Sequence, residues 1–160
     1  MKLASEFAEW SKDPGTRVGA VAVAEDFVAI SSGWNGFPRE FKDTTERLVD
    51  REFKLDYVAH AEHNCIYNAA RQGSKLMGST LFVHGLFPCH RCAVGIAQVG
   101  ITKIVAFTRL DRELKREWAD SCQKSMKLFD EVGIGYIDWY GSFATQLAAL
   151  EIKEQASLGP

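Results

Sequence analysis

Two short stretches carry the side chains best suited to chemistry: His60-Ala61-Glu62 and Pro88-Cys89-His90-Arg91-Cys92. Histidine nitrogen and cysteine sulfur are zinc donors, and His60, Cys89 and Cys92 make three of them. A structural zinc site closes its shell with four protein ligands, whereas a catalytic one keeps a position for water. Glu62 is not needed as a ligand, and it follows the histidine closely enough to move that water's protons. Zinc brings the pKa of a bound water towards 7, so the pattern predicts metal-assisted hydrolysis with Glu62 as general acid and base. A lone CxxC also serves as a redox pair or as half of a structural zinc site. A redox pair leaves His60 and Glu62 without a purpose, and a structural zinc site has no use for Glu62.

Both stretches open apolar-faced helices, over 58–71 with Gly73 as the stop and over 89–99 with Gly100 as the stop. Helix N-termini favour negative charge and lower thiol pKa, which suits thiolate ligands at Cys89 and Cys92. Pro88 fits an extended entry into the second helix. Upstream, Leu3, Phe7 and Trp10 recur at helical spacing in a short helix that Asp13-Pro14-Gly15 stops. Residues 17–24 and 27–34 read as a hairpin of strands. Residues 35–56, polar and interrupted by Gly36 and Pro38, read as a long loop of the kind that serves function. A strand over 80–84 follows, then one over 101–107 whose lack of strict alternation predicts cover on both faces. An amphipathic helix over 111–132, a strand over 134–139 and a helix over 143–155 complete the chain. This alternation predicts an α/β fold, one sheet with helices on both sides, in a single domain over 1–160.

The hydrophobic fraction of 46% and charged fraction of 25% are those of an ordinary globular protein. A net charge of −2 excludes broad electrostatic attraction to nucleic acid or to a membrane surface. Any phosphate must therefore be held by a local cluster of basic groups. Of the four cysteines, Cys65 and Cys122 fall in helical patterns and read as buried free thiols. No apolar run reaches the roughly 20 residues of a membrane span. The first residues carry Glu6 and Glu9, unlike a signal peptide, so a cytoplasmic location is expected.

H-x-E followed by P-C-x-x-C is the signature of zinc-dependent nucleobase deaminases. Around it the chain resembles the deoxycytidylate (dCMP) deaminases of the cytidine deaminase-like superfamily. The likeness is carried by Trp10-Ser11-Lys12-Asp13-Pro14, Thr16-Arg17-Val18-Gly19-Ala20 and Gly33-Trp34-Asn35-Gly36-Phe37-Pro38. It continues through Glu46-Arg47-Leu48, Asp50-Arg51-Glu52 and His60-Ala61-Glu62-His63-Asn64. The resemblance implies a three-layer α/β/α fold around a mixed five-stranded sheet, with Zn2+ as cofactor. It implies hydrolysis at ring carbon 4 of a cytosine deoxynucleotide, dCMP giving dUMP and ammonia, in a homo-oligomer (hexamer or dimer). It also implies that Asn35 hydrogen-bonds the sugar hydroxyl, that Ala61 lies beside the substrate, and that Arg17 helps hold the 5′-phosphate. An amide suits a hydroxyl and a guanidinium suits a phosphate. Asn-Gly is equally a turn signal, and Arg17 equally an exposed charge at a strand start. Arg39, Arg109, Arg112 and Arg116 are further phosphate candidates.

The segment Gly33, Trp34, Gly36, Phe37, Pro38 and Arg39 resembles the loop that binds nucleoside triphosphate effectors in regulated relatives, where Mg2+ accompanies the nucleotide. Glu40 stands where relatives commonly carry glycine, and its charge opposes a triphosphate, so a weak or absent effector response is expected. The first helix is shorter than is usual in the family. No Cys/His-rich segment lies between Phe41 and His60, which argues against a second, structural zinc. Competing readings are a deaminase of cytidine, tRNA adenosine or guanine, and a non-catalytic zinc module. A tRNA enzyme calls for more positive charge, and a structural module has no use for Glu62.

Overall fold

The small and β-branched run Gly-Ala-Val-Ala-Val forms β1 (Gly19–Val23) near the middle of a five-stranded sheet in the computed structural model, which describes residues 1–109 and 114–157. The strand order is β2-β1-β3-β4-β5, with β2 (Ala29–Trp34), β3 (Thr80–Gly85), β4 (Lys103–Thr108) and β5 (Gly135–Asp138). β1 pairs antiparallel with β2 (Gly19 opposite Trp34) and with β3 (Gly19 opposite His84). β3–β4 and β4–β5 are parallel, so the sheet is mixed, as the resemblance implied. The first two strands are shorter than expected. Phe27 takes a φ of 66° in the turn that separates them, which removes it from the ladder.

Seven α-helices are described: α1 (Lys2–Glu9), α2 (Thr45–Val49), α3 (Arg51–Tyr57), α4 (Ala61–Gln72), α5 (His90–Gln98), α6 (Arg116–Val132) and α7 (Ser142–Ser157). The two faces of the sheet are marked by glycines. A Cβ on Gly19 would lie 2.1 Å from the Ala4 carbonyl oxygen of α1, and a Cβ on Gly33 would lie 2.4 Å from the Cys65 nitrogen of α4. Gly19 is aligned opposite Trp34 and Gly33 opposite Ala20, so successive β1 positions face opposite layers. α1 therefore covers one face, and α4, with α5 and α6 packed after it, covers the other. α7 lies against β4 and β5. The interior is built on Leu81, Val83, Phe87, Ile96, Ile104 and Phe129, all with no measurable exposure. Each such side chain contributes about 1.5–3 kcal/mol by leaving water.

The helix expected from Leu3, Phe7 and Trp10 is present, while the long loop expected over 35–56 is corrected. Leu3, Phe7 and Trp10 do sit on or beside α1, but Leu3 and Trp10 are 48% and 60% exposed, while Ala4 and Ala8 face the sheet. Gly19 permits that backbone-to-backbone approach, and Phe7 and Trp10 instead join Trp34 in an aromatic group with ring centroids 5.1–6.2 Å apart. Residues 35–56 are not a plain loop, because they contain α2 and most of α3. Thr44 caps α2 by accepting from the Arg47 N–H, and Asp50 caps α3 by accepting from the Phe53 N–H. Phe37, Phe41, Phe53 and Tyr57 pack on one another, with the Arg47 guanidinium 4.7 Å from the Phe41 ring centre. These helices bury no residue, so their alignment rests on caps and aromatics and gives no apolar periodicity. α6 is described from Arg116; Asp111 and Arg112 lie outside the described residues. No helix among the described residues is long and apolar enough to cross a membrane.

Candidate active site

His60 and Cys89 are the N-cap residues of α4 and α5. An N-cap side chain ordinarily accepts a backbone N–H of the first turn, yet neither of these does. Instead both project with Cys92 into one cluster. His60 Nδ1 is 3.5 Å from Cys89 Sγ and 3.3 Å from Cys92 Sγ, and the three donor atoms lie within 4.8 Å of one another. Tetrahedral zinc with Zn–S near 2.3 Å and Zn–N near 2.0 Å separates such a pair by about 3.5 Å. The donor set and its spacing fit zinc. Electrostatics agree. Contact with Cys92, opposed by burial and aided by His60, lowers the Cys89 thiol to about 3. Cys92, in contact with Cys89 and buried, is raised. A bound cation would favour the thiolate form of both sulfurs. Burial lowers the pKa of His60, but Cys89 and the charge of Glu62 outweigh it and leave it raised.

Glu62 lies in the first turn of α4, 3% exposed. Burial raises its carboxyl pKa, against the lowering influence of His60. A carboxyl in that setting both takes and returns protons readily. His60, Ala61 and Glu62 form part of the wall of a cleft of about 680 Å3. That volume falls in the range of small-molecule sites.

The cleft gathers some of the sequence candidates and leaves others out. Arg17, Asn35 and Arg109 line it together with Ala61. Asn35 accepts from the Val18 N–H and donates to the Thr16 carbonyl, each at 2.8 Å. That leaves one amide hydrogen and one lone pair free of these two bonds. Arg17 is half-exposed and pairs with Glu9 at 2.9 Å. Gly33, Trp34, Gly36, Phe37, Pro38 and Arg39 are not part of the cleft wall. Gly33 and Trp34 belong to β2, Gly36 pairs with Ala59 in a β-bridge, and the Pro38 carbonyl accepts from the Phe41 N–H. Phe37 packs in the aromatic group, and Arg39 donates to Asn68 at 2.6 Å. Arg116 pairs with Asp120 and Glu154 and is not part of the cleft wall. Arg112 lies outside the described residues. Sequence reasoning missed three basic residues of the wall, Arg51, Lys54 and Lys115. The first two are on α3, whose signal was the cap Asp50 followed by Phe53 and Tyr57 at helical spacing. Cys65 and Cys122 are buried free thiols as expected, and burial pushes Cys65 up to about 11.

A mixed sheet between helical layers, with a His/Cys/Cys cluster and a buried glutamate at two helix N-termini, defines a zinc-dependent hydrolase of the deaminase type. Comparison with known proteins gives the family. The model of the cytidine and deoxycytidylate deaminase zinc-binding region matches residues 1–108, and the chain belongs to that family. It is 35% identical over 133 residues to an uncharacterized deaminase of Aliivibrio fischeri, spanning 83% of this chain and 86% of that one. It is 32% identical over 143 residues to the Homo sapiens deoxycytidylate deaminase, spanning 85% and 75%. Among solved structures, the dCMP deaminase of cyanophage S-TIM5 in complex with dCMP and dUMP superimposes with a TM-score of 0.66 at 25% identity. That match covers 86% of this chain and 91% of the phage chain.

Proposed function

We propose that this deaminase converts dCMP and water to dUMP and ammonia, with one Zn2+ held by His60, Cys89 and Cys92. One observation carries the reading: a single cleft has His60 and Glu62 in its wall along with five basic side chains, Arg17, Arg51, Lys54, Arg109 and Lys115. The only carboxylates in that wall, among the described residues, are Asp13 and Glu62, and Asp13 is paired with Lys54 at 3.0 Å. In a chain of net charge −2, such a local excess of cations suits a nucleotide phosphate at one end and ring chemistry at the other. A zinc ion held by His60, Cys89 and Cys92 would lower the pKa of a bound water and so make hydroxide available at neutral pH, the nucleophile that ring carbon 4 requires. Glu62 takes the two protons of the water in turn, passing the first to the ring nitrogen and the second to the departing amine. Asn35, with a free amide hydrogen and lone pair, orients the sugar hydroxyl. Ala61, with no side chain beyond its methyl, leaves room beside the ring. The same proposal includes a homo-oligomer, hexamer or dimer, and a cytoplasmic location.

Ammonia release from dCMP, CMP, dCTP and deoxycytidine tests the substrate. The expected order places dCMP well ahead of deoxycytidine, since the nucleoside has no phosphate for the basic side chains of the wall to bind. Arg17→Ala should narrow that gap by weakening kcat/KM for dCMP about tenfold, the low end for a hydrogen bond to a charged group. Equal losses on both substrates would assign Arg17 to its Glu9 pair alone.

Effector control is expected to be weak. Glu40 is exposed beside the segment 33–39, with φ at 68°, a left-handed conformation that favours the glycine common in relatives. Arg39 is directed at Asn68 and offers Glu40 no neutralising partner there. Hyperbolic dCMP kinetics unaltered by dCTP or dTTP with Mg2+ present are expected; sigmoidal kinetics relieved by dCTP would overturn this.

A further inference from the structure

Trp118, Ser121, Cys122 and Ser125 stand at i, i+3, i+4 and i+7 on α6 and so share one helix face. Each reaches a different support of the metal cluster. The Trp118 ring lies 5.8 Å from the His60 ring at 45°. Ser121 Oγ accepts from the His90 backbone N–H at 3.1 Å and lies 2.8 Å from His90 Nδ1. Cys122 Sγ donates to the Phe87 carbonyl at 3.5 Å. Ser125 Oγ is 2.8 Å from the Pro88 carbonyl oxygen and 3.1 Å from that of Ser121. Cys122 and Ser125 have no measurable exposure.

The groups held belong to residues 87, 88 and 90, the turn that carries Cys89. A reason for this help is visible in α5 itself. Its N-cap is Cys89, which makes no side-chain cap, so first-turn N–H groups need an outside acceptor. Ser121 provides one from another helix. Ser125 and Cys122 serve the carbonyls that precede the ligand, and Pro88 has no N–H with which to brace the turn itself.

We propose that this face of α6 is a positioning clamp for the Cys89–Cys92 half of the metal site, fixing the sulfurs for zinc before and after it binds. Ser121, Cys122 and Ser125 are positioning residues, acting on the metal only through the backbone of the turn. The inference rests on the zinc reading above and adds to it the element that sets how tightly the metal is kept. Groups that orient metal ligands typically change metal affinity by about 10–100-fold when removed.

The test compares zinc-loaded wild type with Ser125→Ala, Ser121→Ala, Ser125→Thr and Ser79→Ala. Ser79 is an apt control because its buried hydroxyl donates to the Leu76 carbonyl just ahead of β3, at the strand's far end from Cys89. Zinc release to a colorimetric chelator is timed, and the thermal midpoint of each zinc-free form is recorded. Ser125→Ala should release zinc about tenfold faster and Ser121→Ala faster than wild type, with Ser125→Thr recovering part of the loss. Ser79→Ala should lose thermal stability yet release zinc at the wild-type rate. Unchanged release from both Ser125→Ala and Ser121→Ala, or equal acceleration in Ser79→Ala, would overturn the clamp. Should Ser125→Ala not fold, Ser121→Ala decides the matter by the same criterion. A wild-type protein that takes up no zinc overturns the metal reading and the clamp with it, whereas normal uptake with unchanged release overturns the clamp alone.

Discussion

Glu62→Gln is expected to lower kcat on dCMP by about 10^3–10^4-fold while the protein keeps one zinc per chain. The amide has nearly the size of the carboxylate, so the first turn of α4 and the cleft wall keep their shape. What is lost is the ability to accept a proton from water and hand protons on to the ring and the leaving amine. Loss of 10^3 corresponds to about 4 kcal/mol of transition-state stabilisation, far above the effect of a misplaced surface charge. Because burial already raises the Glu62 pKa, the neutral amide removes an unfavourable buried charge and should not weaken the fold. Zinc content and kcat are to be measured on the same preparation. Substantial remaining turnover would take proton transfer away from Glu62. Parallel loss of zinc would make Glu62 a ligand instead.

The donor cluster of His60, Cys89 and Cys92 was legible in the sequence because it is written in short, fixed spacings. H-x-E and C-x-x-C each occupy the start of one helix, and the helix starts themselves are marked by Pro88 and by the onset of apolar periodicity. The parallel half of the sheet was equally plain, since strands such as 103–108 are buried on both faces and alternate with helices. What escaped were features that depend on side chains meeting across the fold. α2 and α3 bury nothing, so no hydrophobic period announced them, and the cleft-lining Arg51 and Lys54 were hidden with them. The polar caps Thr44 and Asp50 were the available signal. The spacing of Leu3, Phe7 and Trp10 announced α1 but not its buried face, which is Ala4 and Ala8, because Gly19 lets that backbone approach the sheet. Gly33 likewise read as part of an effector loop, yet its missing Cβ is what admits α4, and with it His60 and Glu62, to the sheet.

Cys89→Ser, Cys92→Ser and His60→Ala are each expected to lose zinc and turnover together, and to lower thermal stability. The three donors come from two helices separated in sequence by β3, so the metal would tie α4 to α5 at their N-termini. A ligand bound only by the folded state stabilises it by about 4 kcal/mol when present at a thousand times its Kd. In a chain of this size that corresponds to a fall of roughly 10 °C in Tm when binding is abolished. Serine at 89 or 92 keeps the side-chain volume but replaces a thiolate by a hydroxyl that stays protonated at neutral pH, so the deficit is one of donor chemistry and not of packing. Cys65→Ser is the matching control: that thiol is buried in α4 and contacts the Ala22 backbone, which gives a hydroxyl a partner, and zinc and turnover should both persist. Chelator treatment of the wild type should reproduce the stability loss of the ligand variants and leave those variants themselves unchanged. Full zinc occupancy in any one ligand variant would remove that residue from the coordination set, and zinc loss from Cys65→Ser would add a third cysteine to it.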